Sequence, residues 1–490
     1  MKIMEPFIPL RLESENLNHT IDVLKRRYTF GADGLISSII SSGQELLAGA
    51  MRLVMEEAGQ VSVFDLDYND NESESFVQRH NDREAIICGC KQSERFIIDF
   101  SNTIRYDGSI DIDLKLTTKG KTVAQTFGIA CLKPLEYKLD KLWFEIPLKA
   151  DLCTFYHIYC DLARKETPPF PTTGRITEKG LSIPFKPFVW LGNDDVGLGF
   201  FTESKRNWQF QNNAFEVIKQ GDTVILRLRL LDSHPVSWGD DYQNGMDCFH
   251  PLDFHFGFMP TPVKQFPNNP YTHKALHLDC GIKIKGNYLD FMNKGRFDRL
   301  LEKGVDTLIL HEKWNKSQNY YELSEFTAKQ LEYISTECHK RGIKLLVYFG
   351  FELSSLSPEW STLKDKVLYK DESGKIQGGW WRVPFQRDYM VCYNSEFADK
   401  FIAGILDIID TYHLDGVYLD STASPRLCSN REHGCGWIDQ NGNLQGAYTV
   451  NAVRLLFEKL STEIKKRGGI ISLHNYGFIN FTVLPFVDQT

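Results

Sequence analysis

No run of about 18 consecutive apolar residues occurs anywhere in the chain, which argues against a membrane-spanning helix and a membrane partner. The first residues, MKIMEPFIPLRLESEN, hold no apolar core of signal-peptide length. Taken as it stands the chain reads as cytoplasmic, with a true start further upstream as the alternative. Long tracts of Lys and Arg are missing too, and the formal net charge is -8. Nothing here would follow a phosphate backbone, so nucleic acid is not an expected partner. The 11 cysteines are odd in number and scattered, which argues against a disulfide framework and for a reducing compartment. The chain also lacks a Gly-rich phosphate loop, a Gly-x-Ser-x-Gly elbow and a His-Glu-x-x-His pair. Each would have pointed to a different chemistry. Repeats and low-complexity segments are absent.

What is present is an ordinary soluble composition: 42% hydrophobic and 24% charged residues over 490 positions, enough for two to four domains. Aromatic residues reach 13%. Aromatic faces stack on the apolar faces of sugar rings, which favours a carbohydrate partner. Phe supplies most of that count, however, and Phe usually packs into cores. The oligomeric state stays open.

To about residue 260 the pattern is that of short strands. The runs 110–116 and 224–230 alternate apolar and polar residues, and Gly, Asn and Asp clusters divide such runs. No long amphipathic helix interrupts them. Residues 1–265 are therefore expected to form a β-sandwich. A Pro- and Asn-rich segment at 260–270 reads as a linker.

From 271 to 490 the grammar changes to alternating strand and helix. Strands are expected at 275–278, 307–310, 344–349, 416–419, 470–473 and 486–487. Helices are expected at 295–303, 324–341, 397–413 and 450–467. Ser324 suits an N-cap and Gly342 a C-terminal stop. A long excursion fills 352–394. This order predicts a (β/α)8-type TIM barrel, so the fold class is multidomain β and α/β. Six strands and fewer than the roughly 250 residues of a full barrel suggest that the barrel is cut short at its C-terminus.

Barrel enzymes carry their chemistry at the C-terminal ends of the strands. Asp420 ends the strand of TYHLDGVYLDS and is followed by the small polar Ser421 and Thr422. Asp415 stands at the other end of that strand and reads as a turn-holding residue. Glycoside hydrolysis needs two carboxyl groups flanking the scissile bond, and Asp420 suits one of those roles. His311, Glu312 and Trp314 follow the strand at 307–310. Glu312 is a possible proton donor or sugar-binding group, and Trp314 a stacking face. Trp380, Trp381 and Arg382 lie in a Gly-flanked loop that would make a sugar-stacking wall with a hydrogen-bonding fork. His474 and Asn475 end another strand, placed to bind a sugar hydroxyl or orient a carboxylate. Cys428, His433 and Cys435 carry zinc-ligand chemistry, but their spacing matches no finger pattern and no fourth ligand is evident. A rim loop without metal or cofactor is the expectation there.

The stretch HLDGVYLDS resembles the fourth-strand signature of retaining barrel glycosidases, the endo-α-N-acetylgalactosaminidase and α-galactosidase types. That resemblance implies Asp420 as nucleophile. Because the α-galactosidase type places its acid/base at the end of strand six, it also implies Asp488 in that role. The run FVWLGNDDVGLGFF at 188–201, with Glu203-Ser204 and Asn207-Trp208, is similar to the β-sandwich preceding the barrel in glycoside hydrolase family 123-like proteins, and 254–262 closes the sandwich in their manner. Family 123 enzymes use an adjacent Asp-Glu pair. Its one counterpart in this barrel, Asp371-Glu372, reads as a polar hairpin turn. The expected function is thus cleavage of O-glycosidic bonds in oligo- or polysaccharides. A carbohydrate-binding protein without catalysis is the alternative.

Overall fold

The computed structural model describes residues 3–15, 17–64, 75–93, 95–118, 137–160, 172–233, 235–238, 251–265, 274–278, 294–311, 314–315, 322–382, 385–475 and 478–490. The chain divides into two compact units: Lys2–Cys160 with Arg164–Lys264, and mainly Gln265–Thr490. Among the described residues no helix is long and apolar enough to cross a membrane.

The N-terminal unit is β throughout and sandwich-like. A nine-stranded and a six-stranded sheet make up most of it, beside a five-stranded antiparallel sheet from Arg11 to Glu45. Alternation along the strands explains how it closes. In the strand Ile110–Thr118, Ile110, Ile112, Leu114 and Leu116 are all buried while Asp113 and Lys115 face out. Thr223–Leu231 in the six-stranded sheet buries Val224, Leu226, Leu228 and Leu230. The inner faces interlock through rings. Phe144 of the six-stranded sheet meets Phe256 edge-on at 5.2 Å, and Phe200 meets Phe215 at 5.1 Å, geometries that add about 0.5–1.5 kcal/mol per pair beyond area burial.

The second unit is built on five parallel strands in sequence order: β1 (Ala275–Leu278), β2 (Thr307–Leu310), β3 (Lys344–Phe349), β4 (Gly416–Asp420) and β5 (Ile470–His474). Its helices are α1 (Lys294–Glu302), α2 (Glu325–His339), α3 (Phe397–Tyr412) and α4 (Val450–Lys466). The punctuation is as expected: the Ser324 hydroxyl accepts from the Thr327 N–H at 3.2 Å, and Gly342 turns left-handed at φ 69°. This is a parallel half-barrel. One expected strand is missing. Residues 484–486 form a short 3-10 turn, and only a single parallel bridge joins Ser472 to Gln489. Pro485 has no N–H to give a ladder, and the Phe486 N–H is already bonded to the Val483 carbonyl at 2.9 Å.

Strand alternation divides this sheet into two chemically different faces. Leu308, Leu310, Leu345, Val347, Phe349, Val417, Leu419, Ile471 and Leu473 point one way and are buried; α2 packs on β3 and α4 on β5. The other face carries His277, His311, Tyr348, Tyr418, Asp420, Ser472 and His474. Gly416 permits the close strand pairing that sets this register. Its φ is 143°, and a Cβ there would lie 1.9 Å from the Ile470 carbonyl oxygen. The excursion after β3 folds into a three-stranded antiparallel sheet, Glu352–Ser354, Gln386–Met390 and Gly378–Arg382, with a helix at Trp360–Val367.

Candidate active site

Asp420 is the last residue of β4, and its carboxylate is gripped from both neighbouring strands. The Tyr348 hydroxyl of β3 donates to Oδ2 at 3.0 Å, and the His474 Nδ1 of β5 meets Oδ1 at 2.8 Å. The Ser421 hydroxyl adds a longer contact to Oδ1 at 3.3 Å. Asp420 is 22% exposed at its side chain, so it is reachable from outside. Directly after it, Ser421 adopts a left-handed backbone at φ 53°. A non-glycine residue there costs about 1–3 kcal/mol, and such strain collects at functional sites. Asp415 does the structural work at the other end: its carboxylate accepts from the Leu345 N–H at 2.8 Å and faces His339 Nε2 at 2.9 Å.

Around Asp420 stands a belt of polar rings. Tyr418 sits near its centre, 4.7 Å from His277, 5.6 Å from His311, 6.1 Å from Tyr348 and 6.4 Å from His474. His311 and Tyr348 are 4.6 Å apart. Burial, then the charge of Asp420, pushes the Tyr418 phenol up to about 12, so it stays protonated at neutral pH. Burial first, then His311 and His474, pulls His277 below its ordinary value; the ring is held neutral. The belt combines a fixed carboxylate, phenol hydroxyls and imidazole rings, which suits binding a polyhydroxylated ligand.

The other expected site residues divide. His311 and His474 join Asp420 in the belt. Asn475 follows His474, and its Oδ1 is buried with no hydrogen-bond partner among the described residues. Glu312 lies outside the described residues. Trp314 is not a stacking face: it is buried, its indole N–H donates to the Tyr348 carbonyl at 2.7 Å, and its ring packs against Phe349 at 5.3 Å. An apolar residue just past a strand end has the core within reach and takes it. Trp380 and Trp381 are 40% and 54% exposed, with Phe351 beside the first and the Arg387 guanidinium over the second at 4.9 Å. Arg382 ends their strand by backbone pairing with Gln386.

The structure does not bring Asp488 to Asp420. Asp488 Oδ2 accepts from the Ile471 N–H at 2.9 Å, and Oδ1 is paired with Lys465. Ile471 is the second residue of β5, whereas His474, the partner of Asp420, closes it. Three residues of strand, about 10 Å, separate the two levels. The cause is the missing sixth strand: the chain turns at 484–486 instead of running up beside β5. The hydrogen-bond partners of the Asp420 carboxylate among the described residues are Tyr348, Ser421 and His474.

Sequence reasoning missed His277, Tyr348 and Tyr418. Their signal was present in part: Tyr348 and Tyr418 are polar rings within buried strands on the face that also carries Asp420, and His277 stands on that face in the more exposed β1. It also missed Cys392. That thiol lies with Cys428, His433 and Cys435 in one cluster whose ligand atoms are all within 4.8 Å of one another. Donation from Cys392, then from Cys435, holds the Cys428 thiol far below its usual range.

Asp420 thus stands at the C-terminal edge of the parallel strands, ringed by polar side chains. Residues 296–421 match the family described as Hypothetical glycosyl hydrolase 6. The match runs from within α1 to the residue after Asp420. The segment that ends at Asp420 and Ser421 is therefore similar to a glycosyl hydrolase family. Among solved structures it is similar to an alpha-N-acetylgalactosaminidase from Bifidobacterium bifidum in complex with Gal-NHAc-DNJ, at 10% identity and a TM-score of 0.40, over 97% of this chain and 77% of that one. It is also similar to an alpha-galactosidase from Thermus thermophilus in complex with stachyose, at 9% identity and a TM-score of 0.40, over 77% of this chain and 75% of that one. No curated protein matches the chain.

Proposed function

We propose that this protein cleaves O-glycosidic bonds with Asp420 as nucleophile. The observation that carries the reading is the double grip on Asp420 by Tyr348 and His474 at the exposed end of β4. In the reaction one Asp420 oxygen attacks the anomeric carbon, the bond to the leaving oxygen breaks, and that oxygen takes a proton from a second carboxylic acid. Water then opens the glycosyl ester, giving its proton back to the same carboxylate. Tyr348 and His474 act as positioning residues that keep the carboxylate aimed. The second carboxylate is sought in the segments that follow strand ends: Glu312, next in sequence to His311, and the buried Glu352 just after β3. Asp488 has no part in this mechanism.

The N-terminal unit is read as the accessory sandwich of a glycoside hydrolase and the second unit as its catalytic domain, with Trp380, Trp381 and Arg382 as an outer sugar-binding wall. The HLDGVYLDS resemblance makes α-galactosides and α-N-acetylgalactosaminides the first substrates to try. The test is a panel of aryl α- and β-glycosides with the wild type and Asp420→Asn. Turnover of one glycoside by the wild type, lost by about 1,000-fold or more in Asp420→Asn with the melting temperature kept, is the expected result. Near-normal turnover by Asp420→Asn would remove Asp420 from the mechanism. The alternative reading is a carbohydrate-binding protein without catalysis. Sugar binding by the wild type with no turnover across the panel would support it.

A further inference from the structure

We propose that Cys392, Cys428, His433 and Cys435 form a closed four-ligand zinc site that staples the loop leaving Asp420 to the three-stranded sheet of the excursion. The sulfurs of Cys392 and Cys435 are 3.7 Å apart, and Cys428 Sγ lies 3.3 Å from His433 Nε2. A tetrahedral zinc with Zn–S near 2.3 Å and Zn–N near 2.0 Å sets two sulfurs about 3.8 Å apart, and sulfur and nitrogen about 3.5 Å apart. A disulfide needs about 2.05 Å, and all three cysteines are free thiols. The separations are those of ligands around an ion, not those of a bonded pair.

The surroundings fit the same ion. All three thiols are buried, packed with Tyr369 and Met390 and flanked by Phe351. His433 Nδ1 faces the Lys366 carbonyl at 2.6 Å. A carbonyl only accepts, so the proton sits on Nδ1 and the Nε2 lone pair is turned towards the sulfurs, the arrangement that metal-bound histidines use. The Asn394 amide donates to Cys435 Sγ at 3.4 Å, and the Asn430 backbone N–H donates to Cys428 Sγ. The frame is held by protein contacts of its own. Asn430 Nδ2 donates to the carbonyls of Asp365 and Leu368 at 3.0 and 2.9 Å, while its Oδ1 accepts from Glu432 N–H at 3.2 Å. Three sulfurs and one imidazole favour zinc over harder cations. Four protein ligands complete the shell, so the ion is structural and leaves no position for a reacting water. Cys392 follows the strand Gln386–Met390, and the other three ligands lie on the loop that starts at Ser421. The ion would fix that loop, including Arg426, whose guanidinium lies 4.5 Å over the Phe351 ring.

The test is elemental analysis of the full chain after dialysis against metal-free, reducing buffer. One zinc per chain is expected. Cys392→Ser and Cys428→Ser should lose it, and His433→Cys should keep it. Cobalt exchange into the wild type should give the intense visible bands of a tetrahedral ion with a sulfur-to-cobalt charge-transfer band in the near ultraviolet. If the serine variants do not fold, mercurial titration of wild-type thiols should release zinc in step with the modification of three cysteines. No zinc after reconstitution under reducing conditions, cobalt spectra without sulfur ligation, or peptide mapping of a Cys392–Cys435 disulfide in the freshly purified protein would each overturn the site.

Discussion

The hydroxyl of Tyr348 donates to Asp420 Oδ2 at 3.0 Å across two adjacent strands, while Tyr348's own carbonyl takes the Trp314 indole N–H at 2.7 Å. One residue thus anchors both the Asp420 carboxylate and the buried segment behind it. Tyr348→Phe removes only the hydroxyl. A hydrogen bond to a charged group contributes about 1.5–3 kcal/mol, so kcat/KM on an aryl glycoside should fall roughly 10- to 100-fold. If Tyr348 acts by positioning the carboxylate, as proposed, kcat should carry the loss and KM should hardly move. Combined with His474→Ala, the double variant should lose less than the product of the two single effects, since both donors hold one carboxylate.

Asp488 holds the opposite end of β5. Asp488→Asn loses the ion pair with Lys465 and weakens the bond from the Ile471 N–H. The pair is partly exposed, so about 1 kcal/mol of stability is expected to go, with kcat unchanged. A thermal melt and a rate measurement on the same sample check both halves. A collapse of kcat at constant stability would return Asp488 to the chemistry.

His277 gives stability a pH dependence of definite sign. Its folded-state affinity for a proton is reduced, by burial first and then by His311 and His474; Tyr418 packs edge-on to the same ring. As pH falls through the ordinary value of 6.5, the unfolded chain protonates first. Stability is therefore fully present above that value and declines below it, down to the depressed folded value. His277→Gln should flatten this decline. Denaturation midpoints of both proteins, taken from about pH 8 to pH 5, should diverge only on the acid side.

Gly416→Ala should be among the costliest single changes in this sheet. Its φ of 143° and the 1.9 Å approach of an added Cβ to Ile470 O leave the β4–β5 pairing no room. About 2–4 kcal/mol of destabilisation is expected, read from the urea midpoint. A loss under about 0.5 kcal/mol would mean that β4 and β5 are not paired at Gly416.

Much of the second unit was readable from residue order, because its signals are local. Apolar runs marked β2 and β3, Ser324 and Gly342 bracketed α2, and Asp420 stood out as a carboxylate on a buried strand. What failed was tertiary. The run at 486–487 was too short and too close to Pro485 to make a strand, so the level of Asp488 was misjudged. Trp314 offered no sign of whether its ring would face solvent or the core. Cys392 is remote in sequence from the Cys428–Cys435 loop and is brought there only by the folding of the excursion. The rings of His277, Tyr348 and Tyr418 looked like ordinary strand residues until strand register placed them on one face.

The two-faced parallel sheet also determines where this molecule tolerates change in chain length. Side chains alternate with period two along β4, so one residue added or removed between Gly416 and Asp420 would swing the carboxylate round among Leu308, Val347 and Leu473. Insertions beyond Thr422 leave that parity untouched. Substrate preference can therefore drift by lengthening and rebuilding the segments past the strand ends, while the aim of Asp420 is inherited unchanged from the ladder beneath it.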